Sequence, residues 1–225
     1  MKAGNTTYKS RADVPVTIPV FPLGGALLLP GGQLPLNLFE PRYLAMFDAA
    51  LSSHRLIGMI QPDVTKPDGQ KEKPDLSAVG CVGRIVSFTE TGDGRYVINL
   101  QGVVRFRVEE ELSVTTPYRQ CRIAPFERDF FSDSDEGTDV DRESLLTTFR
   151  AYLDAYELEA DWDSIQKAGN ATLVNALSMM SPYGPAEKQA LLEAIDLKSR
   201  AETLVAITEL ALAKQGSETA AGTLQ

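Results

Sequence analysis

The sequence predicts an α+β chain, a β-rich part followed by a helical part, and three observations carry that reading. The first is strict alternation: Val104, Phe106 and Val108 are interleaved with Arg105, Arg107 and Glu109, the two-residue period of a half-buried strand. The second is Asp93-Gly94 between two apolar runs, a hairpin signal because these residues suit the backbone of a tight turn. The third is a change of regime at residues 130–139, acidic and rich in turn formers, after which apolar residues recur at helical spacing. The expected organisation is a β-rich unit over 14–128, an acidic linker over 129–140, a helical unit over 141–214 and a small polar, disordered tail over 215–225. Short sheets and short helices cannot bury their apolar faces alone, so the two units are expected to pack on one another.

The first dozen residues are polar and read as frayed. Residues 14–22 are extended, and prolines at 15, 19 and 22 remove ladder donors, which suits an edge strand. Two glycine turns follow, at 23–25 and 30–32, and residues 34–38 resume an extended path. Pro41 opens a helix carrying Tyr43, Leu44, Met46, Phe47, Ala50 and Leu51. Strands are expected at 55–60, 79–88 and 95–100, then at 103–108 after a break at Gly102, and at 118–126. In the second part, Leu145, Leu146, Phe149, Tyr152, Leu153 and Tyr156 mark the buried side of a helix over about 141–156. Asn170 is a candidate cap for a second helix, Pro185 the opening of a third, and Asp196 a cap for a fourth over 197–214.

Composition limits the function classes. With 43% hydrophobic and 24% charged residues the chain can bury a sizeable core, and a net charge of -9 repels phosphate-bearing partners at long range. Residues 1–14 hold Lys2, Lys9 and Arg11 without a following apolar stretch, so no signal peptide is read there. No apolar run has membrane-spanning length, and the cytoplasm is the expected compartment. Cys81 and Cys121 sit in apolar strand-like surroundings and read as buried free thiols.

Catalytic patterns are missing. No glycine-rich loop ends in Gly-Lys-Ser/Thr, and the single histidine, His54, leaves no His-based metal cluster; at a helix end it is expected to meet terminal carbonyls. The acids Asp133, Asp135, Glu136, Asp139 and Asp141 resemble the start of a calcium loop, but Thr138 and Ser144 stand where glycine and glutamate are needed, so a solvated linker is expected. No cofactor and no metal are expected. The candidate binding groups are mainly apolar: Phe39, Tyr43 and the Pro/Leu segment 34–38 beside the glycine turns, with Arg42 next to Tyr43, and Phe130 and Phe131 in a polar linker, so that an extended client would lie near the seam between the two units. They are candidate contacts for an extended peptide, and the competing reading is that they seal the seam between the two units.

Several motifs resemble those of one family in its own order. Residues 18–43, Ile-Pro-Val-Phe-Pro-Leu-Gly-Gly-Ala-Leu-Leu-Leu-Pro-Gly-Gly-Gln-Leu-Pro-Leu-Asn-Leu-Phe-Glu-Pro-Arg-Tyr, resemble the opening of the Lon substrate-binding domain family, with Phe39-Glu-Pro-Arg-Tyr43 typical of its stand-alone and eukaryotic-type members. Val79-Gly-Cys-Val-Gly-Arg-Ile-Val86 is similar to the family's Val-Gly-x-x-Ala-x-Ile strand, with Gly83 in the alanine place. The hairpin strand 94–106, ending in Arg-Phe, and the helical stretches Glu187-Lys-Gln-Ala-Leu-Leu-Glu193 and Asp196-Leu-Lys-Ser-Arg-Ala201 complete a resemblance covering residues 15–212.

The resemblance implies a β-barrel of the PUA-like type (named for pseudouridine synthase and archaeosine transglycosylase) followed by a helical bundle. It also implies a non-catalytic module for unfolded or extended protein segments. The motor and the Ser-Lys protease of full-length members are not in this sequence, so a separate protease or chaperone is the expected recipient of a client. Two other classes stay open. An RNA-binding barrel would use Arg84, Arg95, Arg105 and Arg107, and an enzyme would need a pocket with perturbed Arg, Glu and Tyr side chains.

Overall fold

The computed structural model describes residues 1–66, 73–131 and 139–222; the acids Asp133, Asp135 and Glu136 therefore lie outside the described residues. A short hairpin of β1 (Lys2–Ala3) and β2 (Thr6–Thr7) opens the chain. It is not frayed: Ala3 is fully buried and Tyr8 nearly so, both in one apolar cluster with barrel residues. Strands β3 (Thr17–Pro22), β4 (Gln33–Leu38), β5 (Leu56–Pro62), β6 (Leu76–Glu90), β7 (Tyr96–Glu111) and β8 (Arg119–Pro125) then form a single sheet. Its order is β4-β7-β6-β5-β3-β8, and β8 pairs back onto β7, so five strands close into a barrel with β4 as an added edge.

Closure explains two departures from the sequence-based expectation. The proline-rich β3 is interior to the sheet, not an edge. Pro19 is paired only with β8 and Pro22 only with β5, because the strand changes neighbour at Val20, so neither proline has to bond on both sides. Gly102 bends β7 without breaking it: β4 pairs with the strand before it and β8 with the strand after it. The 29–32 turn lies directly over that bend. Gly31 N–H donates to the Gly102 carbonyl, Gly102 N–H donates to the Gly32 carbonyl, and a β-carbon at 102 would sit 2.0 Å from the Leu29 carbonyl oxygen. Only glycine allows the turn to approach that closely.

Alternation sorts the strands' apolar residues into two cores. Ile18, Val20, Leu56, Ile60, Val82, Val104, Phe106, Cys121 and Ile123 come from all five closed strands and fill the barrel. Ile57, Met59, Val79, Cys81 and Ile85 point outward, into a second core shared with the helices. Helix α1 (Pro41–Leu51), opened by its proline, contributes Met46, Phe47 and Ala50 to that second core. His54 beyond it is exposed and its side chain meets no terminal carbonyl among the described residues.

The helical part contains α2 (Arg142–Ala155), α3 (Trp162–Lys167), α4 (Asn170–Met180), α5 (Pro185–Glu193) and α6 (Leu197–Gly222). Asp141 and Asp196 cap as their positions imply, accepting from Ser144 N at 2.9 Å and Ser199 N at 2.8 Å. Asn170 does not cap α4; its side chain accepts from Arg142 Nη1 at 2.7 Å, and Gly169 holds the cap position. Helix α6 runs on to Gly222 where a disordered tail was expected from Gln215, whose amide donates to the Ala155 carbonyl at 2.6 Å. The apolar residues of α2, α4, α5 and α6 join the outward core of the barrel without a break, so the two parts share one interior. Among the described residues no helix is long and apolar enough to cross a membrane.

Candidate functional site

The seam between barrel and helices holds a groove of about 760 Å³. One wall comes from residues 25–35, the glycine turns and the start of β4, with Leu27, Pro30, Leu34 and Pro35. The facing wall is α4, with Ala171, Ala176, Met179 and Met180. The helix comes close because Gly32 has no side chain: a β-carbon there would lie 2.3 Å from Met179 Sδ. Met180 is 82% exposed, an unbranched apolar side chain that can adapt to different partners.

Beneath the apolar walls the seam is polar. Arg105, on the outward face of β7, is 4% exposed and pairs in fork geometry with Asp129 through Nε and Nη2, at 2.9 and 2.8 Å. Its Nη1 reaches the Leu192 carbonyl at 3.0 Å and the Ala194 carbonyl, at the end of α5. Arg200 repeats the device from α6, donating to the Leu191 carbonyl and to Asn175, whose amide donates to the Pro30 carbonyl. Gln61 of β5 ties Gly25 N–H to the Pro185 carbonyl and Gln189. Lys188 of α5 is buried at the groove wall and donates to the Met179 carbonyl at 3.2 Å; burial alone pulls its ammonium below the usual lysine range.

The five candidate contacts do not converge on this groove. Phe130 is 6% exposed, in a short helical turn (Glu127–Phe130) packed against the barrel core; Asp129 beside it is held by Arg105, so the expected linker at 129–140 begins as buried structure. Phe131 is 73% exposed. Tyr43 is buried on Phe21, with ring centroids 4.2 Å apart, and burial raises its hydroxyl pKa; the Arg42 guanidinium stacks over it at 4.5 Å. Arg42 and Tyr43 line a different groove, with the 111–119 loop and Pro22, Pro62 and Pro74. Phe39 is exposed beside Arg95, near the β6–β7 hairpin. Tyr43 and Phe130 are both buried, Tyr43 on Phe21 and Phe130 in the barrel cluster, as a sealing role requires.

Comparison with known proteins assigns this architecture. The model of the ATP-dependent protease La (LON) substrate-binding domain matches residues 17–209. The chain belongs to that family. Its sequence is similar to Lon protease 2 of Myxococcus xanthus, 30% identical over 203 residues, and to the Lon protease of Parabacteroides distasonis, 34% identical over 200 residues. Each match covers 85% of this chain and 23% of the relative, so the chain spans about a quarter of the length of the curated relatives it matches. The crystal structure of a Lon N-terminal domain protein from Xanthomonas campestris superposes with a TM-score of 0.61 at 25% identity, covering 84% of this chain and 97% of that one. The N-terminal domain of the Mycobacterium avium complex Lon protease, at 20% identity and TM-score 0.56, covers 86% and 98% and supports the fold alone.

Membership makes this chain a Lon-type substrate-binding domain. Among its described residues no group of His, Cys, Asp and Glu is placed to hold a metal ion. Both cysteines are buried free thiols, raised by desolvation, Cys121 to about 11. The four strand arginines are spent in different places: Arg105 in the seam, Arg84 on Tyr8, Asn5 and the His54 carbonyl, Arg95 on Asp93, and Arg107 over Phe126. The sequence placed an extended client near the barrel–helix seam and pointed to segment 34–38, but not to the facing wall of α4, because the two walls come from segments more than 130 residues apart. The signal that could have found it is the pairing of Pro30-Gly-Gly with a Met-Met at a helix end.

Proposed function

We propose that this Lon-type domain binds unfolded or extended protein segments in the seam groove and passes them to a separate protease or chaperone. The observation that carries the reading is the groove's composition: adaptable apolar walls, led by the exposed Met180, over a rigidly bonded polar floor. Such a surface accepts varied apolar side chains while its shape is held by hydrogen-bonded groups beneath it. The family description, substrate binding, and the relatives' printed name, Lon protease, support a protein as the client and a protease as the recipient. Backbone pairing along the free edge of β4 is interrupted at its centre. The Gly102-to-Gly32 bond sets the ladder so that Pro35 faces outward, and proline has no N–H to offer. Contacts through side chains are therefore the main attraction. Buried thiols support a cytoplasmic setting.

The test is fluorescence anisotropy of a labelled, permanently unfolded protein with wild type and Met180→Glu. The variant is expected to weaken binding about fivefold or more with unchanged thermal stability, since the site is exposed. Equal affinity for both proteins would move the binding surface elsewhere, and Phe39→Glu is then the next variant to measure.

A further inference from the structure

We infer that the seam groove carries a carboxylate-recognition point at Lys188, which takes the terminal carboxylate or an acidic side chain of the bound segment. This rests on the seam groove being the client site. Lys188 is 8% exposed, yet among the described residues its ammonium makes one hydrogen bond, to the Met179 carbonyl, and has no carboxylate within ion-pair distance. The other buried charges of the seam are treated differently. Arg105 holds Asp129 and two carbonyls, and Arg200 holds a carbonyl and a side-chain amide. A buried charge is costly unless it is paired, and an ammonium carries three donors, so capping the end of α4 uses only part of what Lys188 offers.

The surroundings favour an anion. Lys2, Arg105, Lys188 and Arg200 line the groove against two carboxylates, Asp129 and Asp196, although the whole chain has a net charge of -9. Both of those carboxylates are engaged, Asp129 by Arg105 and Asp196 by the Ser199 N–H. The groove is thus a locally positive place on an acidic protein, with its least satisfied buried cation at the wall. An ammonium is a compact charge without a preferred plane, so it accepts a carboxylate presented either from a chain end or from Asp or Glu. The same lysine therefore adds an anchoring point to a groove whose walls discriminate little.

Three short, unstructured, apolar peptides of otherwise identical sequence decide the matter by anisotropy. One ends in a free carboxylate, one in an amide, and one in an amide with a single central glutamate. At least one carboxylate-bearing peptide is expected to bind wild type about tenfold more tightly than the neutral amide, and which one does so identifies the source. Lys188→Met is expected to abolish that difference, read as the ratio of the carboxylate-bearing to the neutral-amide affinity within the variant, and Lys188→Arg to retain it. Equal affinity of all three peptides for wild type overturns the inference, with no variant required to fold. A preference that survives Lys188→Met overturns it too. If none of the three binds wild type, the seam groove is not a client site and the inference fails with that reading.

Discussion

The barrel interior and the floor of the seam both bury their side chains, but they are built in opposite ways. Inside the barrel the packing is apolar, with Ile18, Val20, Ile60, Val82, Val104, Phe106 and Ile123 drawn from all five closed strands. The seam buries Gln61, Arg105, Asp129, Lys188 and Arg200 as well as its apolar residues. Apolar burial is non-directional and tolerates small adjustments, whereas buried hydrogen bonds and charges hold only one arrangement. The barrel therefore supplies cohesion and the seam supplies geometry. A buried ion pair adds little net stability against an apolar alternative, yet breaking it is expensive, because the surviving charge is left alone.

That contrast can be broken most sharply at Asp129. Asp129→Ala strands the Arg105 guanidinium and removes an acceptor from the Arg105 backbone N–H. Urea unfolding is expected to show a loss of about 3–5 kcal/mol; a loss below about 1 kcal/mol would mean that the seam tolerates misfit as the barrel does. Next in size is Gly102→Ala, where the added methyl meets the Leu29 carbonyl. The expected cost is about 1–3 kcal/mol, together with weaker client binding, because the 29–32 turn forms part of the groove wall. Unchanged binding with lowered stability would separate turn from groove.

Asp196→Ala removes the cap of α6 and is expected to cost about 1 kcal/mol. The Ser199 N–H holds this carboxyl below its usual range, so the cap's contribution is complete above the unfolded pKa of about 4 and is lost as pH falls through the lower folded value. Thermal midpoints measured from pH 6 to pH 2 are expected to fall less steeply for the variant than for wild type, and parallel curves would remove Asp196 from the acid response. The smallest effect concerns the thiols. Cys81 and Cys121 are buried and their pKa values are raised by desolvation, so a thiol reagent at pH 8 is expected to label neither until the barrel is unfolded by denaturant. Rapid labelling of native protein would show that one of these sites opens.

Elements whose causes are local were legible in the sequence. Pro41, Pro185, Asp141 and Asp196 open or cap their helices in the structure, since a fixed φ or a short carboxylate acts within one turn. The Asp93-Gly94 hairpin joins β6 to β7 for the same reason. Misjudged elements depended on distant partners. β3 looked like an edge until its change of neighbour at Val20 was visible, and Gly102 looked like a break until the 29–32 turn was seen resting on it. Arg105 reads as solvent-facing from alternation alone. It is buried because the outward face of β7 is covered by the end of α5.

The candidate site divides along the same line. Phe39, Arg42, Tyr43, Phe130 and Phe131 were chosen for residue type, and side-chain type does not say which way a ring points. Two of these aromatics turned inward, and the groove formed elsewhere. By itself the sequence determined the α+β order, most helix starts and the family, because periodicity, caps and motifs are written in neighbouring residues. Barrel closure, the buried Arg105–Asp129 lock and a groove joining residues 25–35 to α4 were decided only by the tertiary structure, since each requires segments remote in the chain to meet.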